Sequence, residues 1–294
     1  MNKKSIETRY NSLKKIYKIV ESNKNITLVN LLKLSRSISF YLDRMNYSKY
    51  IIEEVLKKFS VDQSTLNKKN NLISFTKLKT LWVYISEEEK YSTNSYQKHE
   101  KHLVNVIDKN NDQIIVIGEK AIRFAQKHNY HILFSYKQNE ITYLSQILPK
   151  IIINSFQTQD FVNLNVVINS SKIKQKHIQL LPIYENNFVL EHHQSSSLFK
   201  SNLSSHKIGQ NLDEFINSEL ESYLIFALYT LLTESALIYE KYKLVAQNST
   251  LNDLEEKIKF QKRTLLKAKR EKEIEEISIL SKKKDLLHEN GGQK

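Results

Sequence analysis

Long stretches of this chain contain neither glycine nor proline, the two residues that most often end a helix or make a tight turn. The 294 residues include four glycines and two prolines, and none of these lies within 1–117 or 210–290. Both ends of the chain are therefore free to form long uninterrupted helices. An all-β chain full of tight turns is excluded, because such turns need glycine or proline repeatedly.

The spacing of apolar residues also predicts helices at both ends. In the first sixty residues, apolar side chains recur every three or four positions, as on one face of a helix. The same spacing runs through the last segment, where a helix of about 75 residues would be about 110 Å long. No compact domain can cover that length, and the other end of the chain has a matching stripe. We therefore predict that the two ends pair as an antiparallel coiled coil.

The middle of the chain alternates short β-rich runs with helix-compatible stretches. Strands are predicted at 81–85, 114–117, 132–134 and 162–168, and helices at 96–107, 120–128 and 141–156. This alternation is typical of a three-layer, Rossmann-like α/β domain with a mainly parallel sheet. Residues 188–190 are expected to add an edge strand. The predicted domains are an N-terminal coiled-coil helix (1–60), the α/β domain (61–209) and a C-terminal coiled-coil helix (210–294).

Composition and motifs exclude several classes of function. The chain has no cysteine, which excludes disulfides, thiolate metal sites and cysteine nucleophiles. It contains no glycine-rich phosphate-binding motif, so we expect no bound nucleotide or other cofactor and no catalytic site of its own. The most apolar window, 223–232, is shorter than the roughly 20 residues of a spanning helix. The basic N-terminus lacks the apolar core of a signal peptide.

Three features are weak candidates for functional sites. Gly118 follows a strand and opens a helix, where an anion could bind, although a tight strand-to-helix turn is the favoured interpretation. Four histidines were considered as metal ligands, but no partners stand at ligand spacing and surface histidines are favoured. They are His128, His131, His192 and His193. The Glu87-Glu88-Glu89 cluster is interpreted as a solvated loop rather than an acid–base site.

The densest charge feature lies near the C-terminus of a chain whose net charge is +13. This basic belt consists of Lys257, Lys259, Lys262, Arg263, Lys267, Lys269 and Arg270. The steps between its members predict that the charges surround the helix. Such a belt could bind nucleic acid, anionic lipid or an acidic protein surface. Phe260 is the only aromatic residue nearby, which argues against a stacking platform for single strands.

Short segments spread along the chain follow one known pattern in the same order. Ile117-Gly118-Glu119-Lys120 with Phe124 matches IGxKxxxFF, and Gln179-Leu180-Leu181-Pro182 matches QLLP. Leu232-Thr233-Glu234-Ser235-Ala236 is similar to LxSExAAR, and Phe260-Gln261-Lys262-Arg263 falls on YNKARQ. The N-terminal positions Ile6, Arg9, Ser12, Lys18, Ile19 and Val20 follow IxxRIxSVxNTxKIT. Together these segments resemble the gamma subunit of rotary F-type ATP synthases.

The chain also departs from that family. The family's TSDRGLCGGxN loop is replaced by residues 85–94, in which every glycine is lost, and an arginine of LxSExAAR is Ile238. The chain therefore resembles a divergent, F-type-like paralogue. Such paralogues occur in wall-less bacteria with AT-rich genomes, some of them associated with gliding motility. The abundance of Lys, Asn, Ile and Tyr fits such a genome.

The resemblance implies a non-catalytic central rotor shaft that couples ATP hydrolysis or synthesis to rotation, as a paralogue expected to drive gliding motility rather than proton transport. Its implied partners are alpha and beta subunits in a hexameric ring, with other central-stalk or load-transmitting proteins. We expect no specific nucleic acid, no membrane insertion, and a cytoplasmic location at the inner face of the membrane. The expected ring contacts are Lys257, Lys259, Lys262, Arg263, Lys267, Lys269, Arg270, Ile277 and Leu280. The alternative is a basic coiled-coil scaffold or a nucleic-acid-binding protein.

Overall fold

A computed structural model describes residues 3–58, 79–88, 90–91, 95–159, 161–170, 172–173, 175–185, 188 and 211–289. Its helices are α1 (Lys3–Lys58), α2 (Gln97–Val106), α3 (Glu119–Lys127), α4 (Ile141–Thr158) and α5 (Leu212–Glu289). Its strands are β1 (Lys79–Ile85), β2 (Gln113–Ile117), β3 (Ile132–Tyr136), β4 (Phe161–Val167) and β5 (Ile178–Leu181). The long terminal helices and the alternating middle segment confirm the predicted fold class.

Two compact units divide the chain. One comprises residues 1–29 and 243–294, and the other comprises residues 30–242. The second unit thus contains the whole sheet together with the later part of α1 and the earlier part of α5. The division 1–60, 61–209 and 210–294 stays a prediction.

The sheet has the strand order β3-β2-β1-β4-β5, with β1 at its centre. Its first four strands are parallel, and Val83 of β1 lies between Ile115 of β2 and Val166 of β4. The edge strand β5 runs antiparallel to β4 and includes the Gln179-Leu180-Leu181 segment. The sheet is therefore mainly parallel, as predicted. The edge strand expected at 188–190 falls on residues of which only Phe188 is described.

Side chains of β1 alternate between the two faces of the sheet, as the pleat requires. Leu81, Val83 and Ile85 belong to a core that also draws on α1, α4 and α5. Trp82 and Tyr84 point to the other face, into a core shared with α2 and α3. Because both faces of the central strands are covered, these strands are continuous apolar runs.

A buried carboxylate fixes the start of β1 to the start of β2. Asp112 accepts hydrogen bonds from the Thr80 amide (3.0 Å), the Trp82 indole Nε1 (3.1 Å) and the Asp108 amide (3.0 Å). Its side chain is buried. A buried charge of this kind is tolerated because it is hydrogen-bonded to several donors.

Within the larger unit, α1 and α5 pack against each other in opposite directions. The Tyr41 ring lies 3.8 Å from the Tyr229 ring, centroid to centroid. Further along α1, Ile51 and Val55 form a buried cluster with Ile216. Later residues of α1 therefore meet earlier residues of α5, which confirms the predicted antiparallel pairing.

The smaller unit contains only parts of α1 and α5 among its described residues. The Tyr17 hydroxyl donates to Glu255 Oε1 at 3.0 Å, and Ile6, Leu254 and Leu265 are buried. These buried side chains belong to the apolar stripes of α1 and α5 that the sequence shows. Most other described side chains of this unit are exposed or half-buried.

Helix α5 also contains a window that is long and apolar enough, by composition, to cross a membrane. The apolar run 223–232 has about ten residues, whereas this window has 18. In the structure, 67% of the window is buried. Its apolar side chains pack against the sheet and α1, as expected of a core helix.

Candidate functional site

The basic belt lies on α5, within the smaller unit. Six of its seven members are exposed, and Lys269 is half-buried. The buried positions of the same segment are Leu251, Leu254, Gln261 and Leu265. At about 100° per residue, all belt members except Lys257 lie within roughly half of the helix circumference. With Lys257 included, the belt spans about two thirds of the circumference.

The expectation that the belt surrounds the helix stays a prediction. The buried stripe adds a reference direction for its charges. Lys259, Arg263, Lys267 and Arg270 face away from the packed side of α5, whereas Lys257, Lys262 and Lys269 lie nearer to it. These four residues form the outward face of the belt.

Beyond the belt, described side chains of α5 are exposed on all sides. Ile277 and Leu280, the two apolar members of the predicted contact set, are each 66% exposed. Residues 271–281 alternate such apolar groups with charges, of which Lys272 and Glu276 form an ion pair at 3.4 Å. Exposed apolar side chains at a charged helix tip are available for contact with another protein.

The turn at Gly118 is closed by the chain itself. Gly118 has φ 96°, and a Cβ on it would lie 2.0 Å from the Ser86 carbonyl oxygen. The Ser86 hydroxyl accepts a hydrogen bond from the Ala121 amide at 2.9 Å. Because this hydroxyl takes the place an anion would occupy at the start of α3, the tight-turn interpretation is favoured.

Glu87, expected in a solvated loop, is instead largely enclosed at the carboxyl end of β1. Asn139 donates from Nδ2 to Glu87 Oε1 and to the Leu232 carbonyl oxygen of α5. Burial raises the pKa of Glu87, and the hydrogen bond from Asn139 opposes that rise. The carboxylate thus links three segments of the chain, a structural role that the sequence did not predict.

A second carboxylate is buried against the end of β4. Glu234 of α5 is fully buried, and its Oε1 accepts a hydrogen bond from the Ser170 hydroxyl at 2.6 Å. Strand β2 is added to one side of β1 and β4 to the other side. The carboxyl ends of β1 and β4 therefore flank the point at which the strand order reverses, the switch point of the sheet. Open α/β sheets bind their ligands in the crevice at that point. Here α5 occupies it.

The space left beside Glu87 is small. A cavity of about 10 Å³ is lined by Glu87, Glu88 and four tyrosines, Tyr91, Tyr96, Tyr239 and Tyr242. That volume holds about one water molecule. Burial, with the nearby Tyr91 and Glu88, raises the pKa of Tyr239 to about 12. A nucleotide does not fit in this space.

The histidines considered from the sequence form no described metal site. His128 stacks its ring against Phe124 (4.8 Å) and Tyr130 (5.9 Å), whereas His131 is exposed. His192 and His193 lie outside the described residues. Among the described residues, no three His, Asp or Glu side chains come together as metal ligands would.

Sequence reasoning missed a different histidine cluster. His102 Nε2 and His177 Nδ1 are 3.0 Å apart, and burial lowers the pKa of both rings. Burial also lowers the pKa of His99, one turn earlier on α2, to about 4. His102 and His177 are 75 positions apart in the chain. No local pattern could have paired them.

Comparisons with known proteins relate the chain to one group of proteins. The uncharacterized protein UU050 of Ureaplasma parvum is 30% identical over 289 residues, which cover 96% of this chain and 94% of that one. An ATP synthase gamma chain of Mycoplasma mycoides is 23% identical, covering 86% and 87%. An ATP synthase gamma chain of Mycoplasmopsis pulmonis is 25% identical, covering 93% and 97%.

Family models and solved structures were compared as well. No protein-family model matches the chain. A chain in a structure of the Euglena gracilis mitochondrial ATP synthase, containing OSCP, F1 and c-ring, matches with a TM-score of 0.43 and 15% identity. The match covers 99% of this chain and 96% of that chain.

Proposed function

The chain belongs to the same family as the uncharacterized protein UU050 and is a divergent relative of ATP synthase gamma chains, and from this we propose that it is the central rotor shaft of an F-type-like rotary ATPase. In this proposal, a ring of alpha and beta subunits binds ATP and turns the shaft. The observation that carries the proposal is similarity to two gamma chains over 86% or more of every chain compared.

The structure supports a non-catalytic role for this chain. The crevice at the switch point of the sheet, where α/β proteins place a ligand, is filled by α5 through Glu234 and through the carbonyl that binds Asn139. The turn at Gly118 is closed by Ser86. Nucleotide chemistry would then reside in the surrounding ring.

The uneven distribution of the belt charges gives the shaft a direction. If its charges were evenly distributed, turning the helix inside a ring would leave the interaction energy unchanged. Because Arg263, Lys267 and Arg270 point largely to one side, a ring subunit with an acidic surface would favour one shaft angle over others. Differential interaction of this kind lets a conformational change bias rotation. Each exposed contact contributes about 0–1 kcal/mol, so torque must be shared among several.

Native purification tests the proposal directly. We expect the full-length chain, isolated from its own cells, to bring down ATPase alpha and beta chains in a ring-like ratio. Reversing two belt charges, Arg263→Glu with Arg270→Glu, should lower rotation-coupled ATPase activity in the assembled complex. The matched control reverses two exposed lysines of the α/β unit, Lys137→Glu with Lys150→Glu. Purification without either subunit, or equal activity of the two double variants, would refute it.

The proposal also concerns the load, that is, the process which the rotating shaft drives. The family's glycine-rich loop after the first strand is replaced here by residues 85–94, and Glu87 of that segment is tied to Asn139. This departure supports a divergent motor, with gliding motility rather than proton transport as its load. We place the complex in the cytoplasm at the inner face of the membrane. A proton-conducting ring in the native complex would argue for proton transport.

A basic nucleic-acid-binding or scaffold protein is the second candidate, and the outward face formed by Lys259, Arg263, Lys267 and Arg270 favours it. A helix that enters the groove of a duplex contacts phosphates with one face, so cations on that face contribute more to binding than cations spread around the helix. Binding of one RNA or DNA sequence at least about tenfold tighter than a shuffled sequence at physiological salt would support it. Weak, sequence-independent binding that collapses with salt would leave the rotor as the better account.

A further inference from the structure

A groove between α2 and α3 lies on the face of the sheet opposite α1 and α5. Its volume is about 650 Å³, far larger than the cavity beside Glu87. It is lined from α2 by Gln97, Glu100, Lys101, Val104 and Asn105, and from α3 by Lys120, Arg123, Phe124, Lys127 and His128. The rotor proposal assigns no role to this α2–α3 groove.

The charges that line the groove are mostly positive. Four cationic side chains face a single carboxylate, Glu100. That carboxylate is already engaged, because it accepts a hydrogen bond from the Tyr84 hydroxyl (3.3 Å) and pairs with Lys120 (3.8 Å). Lys101 on α2 and Lys127 on α3 are exposed at opposite rims. Arg123 pairs with Glu119 at 3.9 Å, on the exposed surface of α3. Lys101 and Lys127 thus supply the positive charge on the two sides of the groove.

Between these rims, the groove contains apolar surface. Val104 is 42% exposed, although an apolar side chain of this size normally gains by burial. Phe124 lies deeper, with 6% of its surface exposed. A small apolar patch flanked by cations has the complementary pattern to an amphipathic helix with apolar side chains on one face and acidic edges.

We propose that the α2–α3 groove binds an acidic amphipathic helical segment of another protein. Its carboxylates would pair with Lys101, Arg123 and Lys127, and one or two apolar side chains would cover Val104. Helix α2 has ten residues and is therefore about 15 Å long. The groove thus accommodates two to three turns of a bound helix, roughly 10 residues.

The chemistry of the groove disfavours a nucleic acid or a membrane as its occupant. Phe124 is too deeply buried to offer a ring face on which a base could stack. A membrane surface would meet the rims first and leave Val104 uncovered, because the groove lies between two helices. A narrow apolar and anionic helix meets all of these groups at once.

Peptide binding to the intact chain tests the proposal. The probe is a fluorescently labelled helical peptide of about 12 residues, with leucines on one face and glutamates along both edges. The control peptide has the same composition with the leucines scattered. We expect micromolar binding of the amphipathic peptide, at least about tenfold tighter than that of the control. No ATPase subunit is needed, so the result is independent of the rotor proposal.

Two variants locate the binding site. Lys101→Glu with Lys127→Glu should weaken binding of the amphipathic peptide by about tenfold or more, whereas Lys137→Glu with Lys150→Glu, which changes the net charge equally, should not. Val104→Ser should weaken binding severalfold and leave its salt dependence unchanged. Circular dichroism melting establishes that each variant is folded.

Three outcomes would overturn the proposal. The first is equal peptide affinity of the two double variants. The second is equal affinity for the amphipathic and the scattered peptide, which would indicate unspecific charge attraction. The third is that a different ligand binds in the groove more tightly than the peptide. This ligand would be a single-stranded oligonucleotide or an anionic phosphatidylserine vesicle, and only the Lys101→Glu, Lys127→Glu variant would fail to bind it.

Discussion

At Gly118, the fold depends on the absence of a side chain. Its φ of 96° is unfavourable for other residues, and a Cβ would lie 2.0 Å from the Ser86 carbonyl oxygen. We therefore expect Gly118→Ala to lower the free energy of unfolding by about 2–4 kcal/mol in urea titrations. Ser86→Ala removes only the hydroxyl that caps α3, and it should cost about 1 kcal/mol. A Gly118→Ala variant as stable as the wild type would contradict the turn geometry.

The buried ring of His99 should make stability depend on pH. Burial lowers its pKa from 6.5 to about 4, so the folded chain holds the ring neutral where the unfolded chain protonates it. The unfolded state binds more protons in that window, and stability falls as the pH falls from about 6.5 to about 4. The loss attributable to His99 is about 2–3 kcal/mol.

The His99→Leu variant tests this dependence. It lacks the titrating ring, so its free energy of unfolding should fall less between pH 7 and pH 4 than that of the wild type. Other groups that titrate in the same range, including His102 and His177, remain in both proteins and cancel in the comparison. Parallel curves for the two proteins would mean that His99 is not held neutral.

Among the helices, the antiparallel pairing of α1 and α5 leads to a crosslinking experiment. The chain has no cysteine, so an engineered pair is unambiguous. Because the rings of Tyr41 and Tyr229 are in contact, Tyr41→Cys with Tyr229→Cys should crosslink within one chain through a short bismaleimide. The pair Tyr41→Cys with Lys101→Cys, whose second residue lies on α2 at the opposite face of the sheet, is the control and should not crosslink. Crosslinks that form only between separate chains would refute the intramolecular pairing.

Most elements of the fold could be predicted from the sequence. Strands β1 and β2 are continuous apolar runs because both of their faces are covered, and the terminal helices have long stripes without glycine or proline. Strand β5 was missed because it has four residues and only one neighbouring strand. The burial of Glu87 was missed as well, since its partner Asn139 is 52 positions away. Local patterns predict elements, whereas contacts between distant segments decide where polar residues lie.

For the whole molecule, the sequence identified the belt residues but not their direction. The identity of the charges can be read from the sequence, but which of them face away from the packed side depends on where Leu254 and Leu265 are buried. The α2–α3 groove was not predicted either. Its charges come from two helices separated by β2, and only the fold places them side by side.

We expect the purified chain alone not to bind or hydrolyse ATP. Side chains of α5 fill the crevice at the switch point of the sheet, and the cavity beside Glu87 is close to the size of one water molecule. Isothermal titration with ATP and Mg²⁺ should show no binding in the micromolar range. Saturable micromolar binding would contradict this account and would point to a nucleotide site of a different design.

The shared core also has a consequence for synthesis on the ribosome. The face of the sheet that carries Val83 and Val166 is completed by Leu228 and Leu231 of α5. A nascent chain that has just emerged through β4 must therefore wait for about 65 further residues, some 3–13 s of translation, before it can bury that face. During this interval the growing polypeptide is a substrate for chaperones and proteases. Ribosome-bound chains arrested before Leu212 should accordingly be degraded far faster than chains arrested after synthesis of α5.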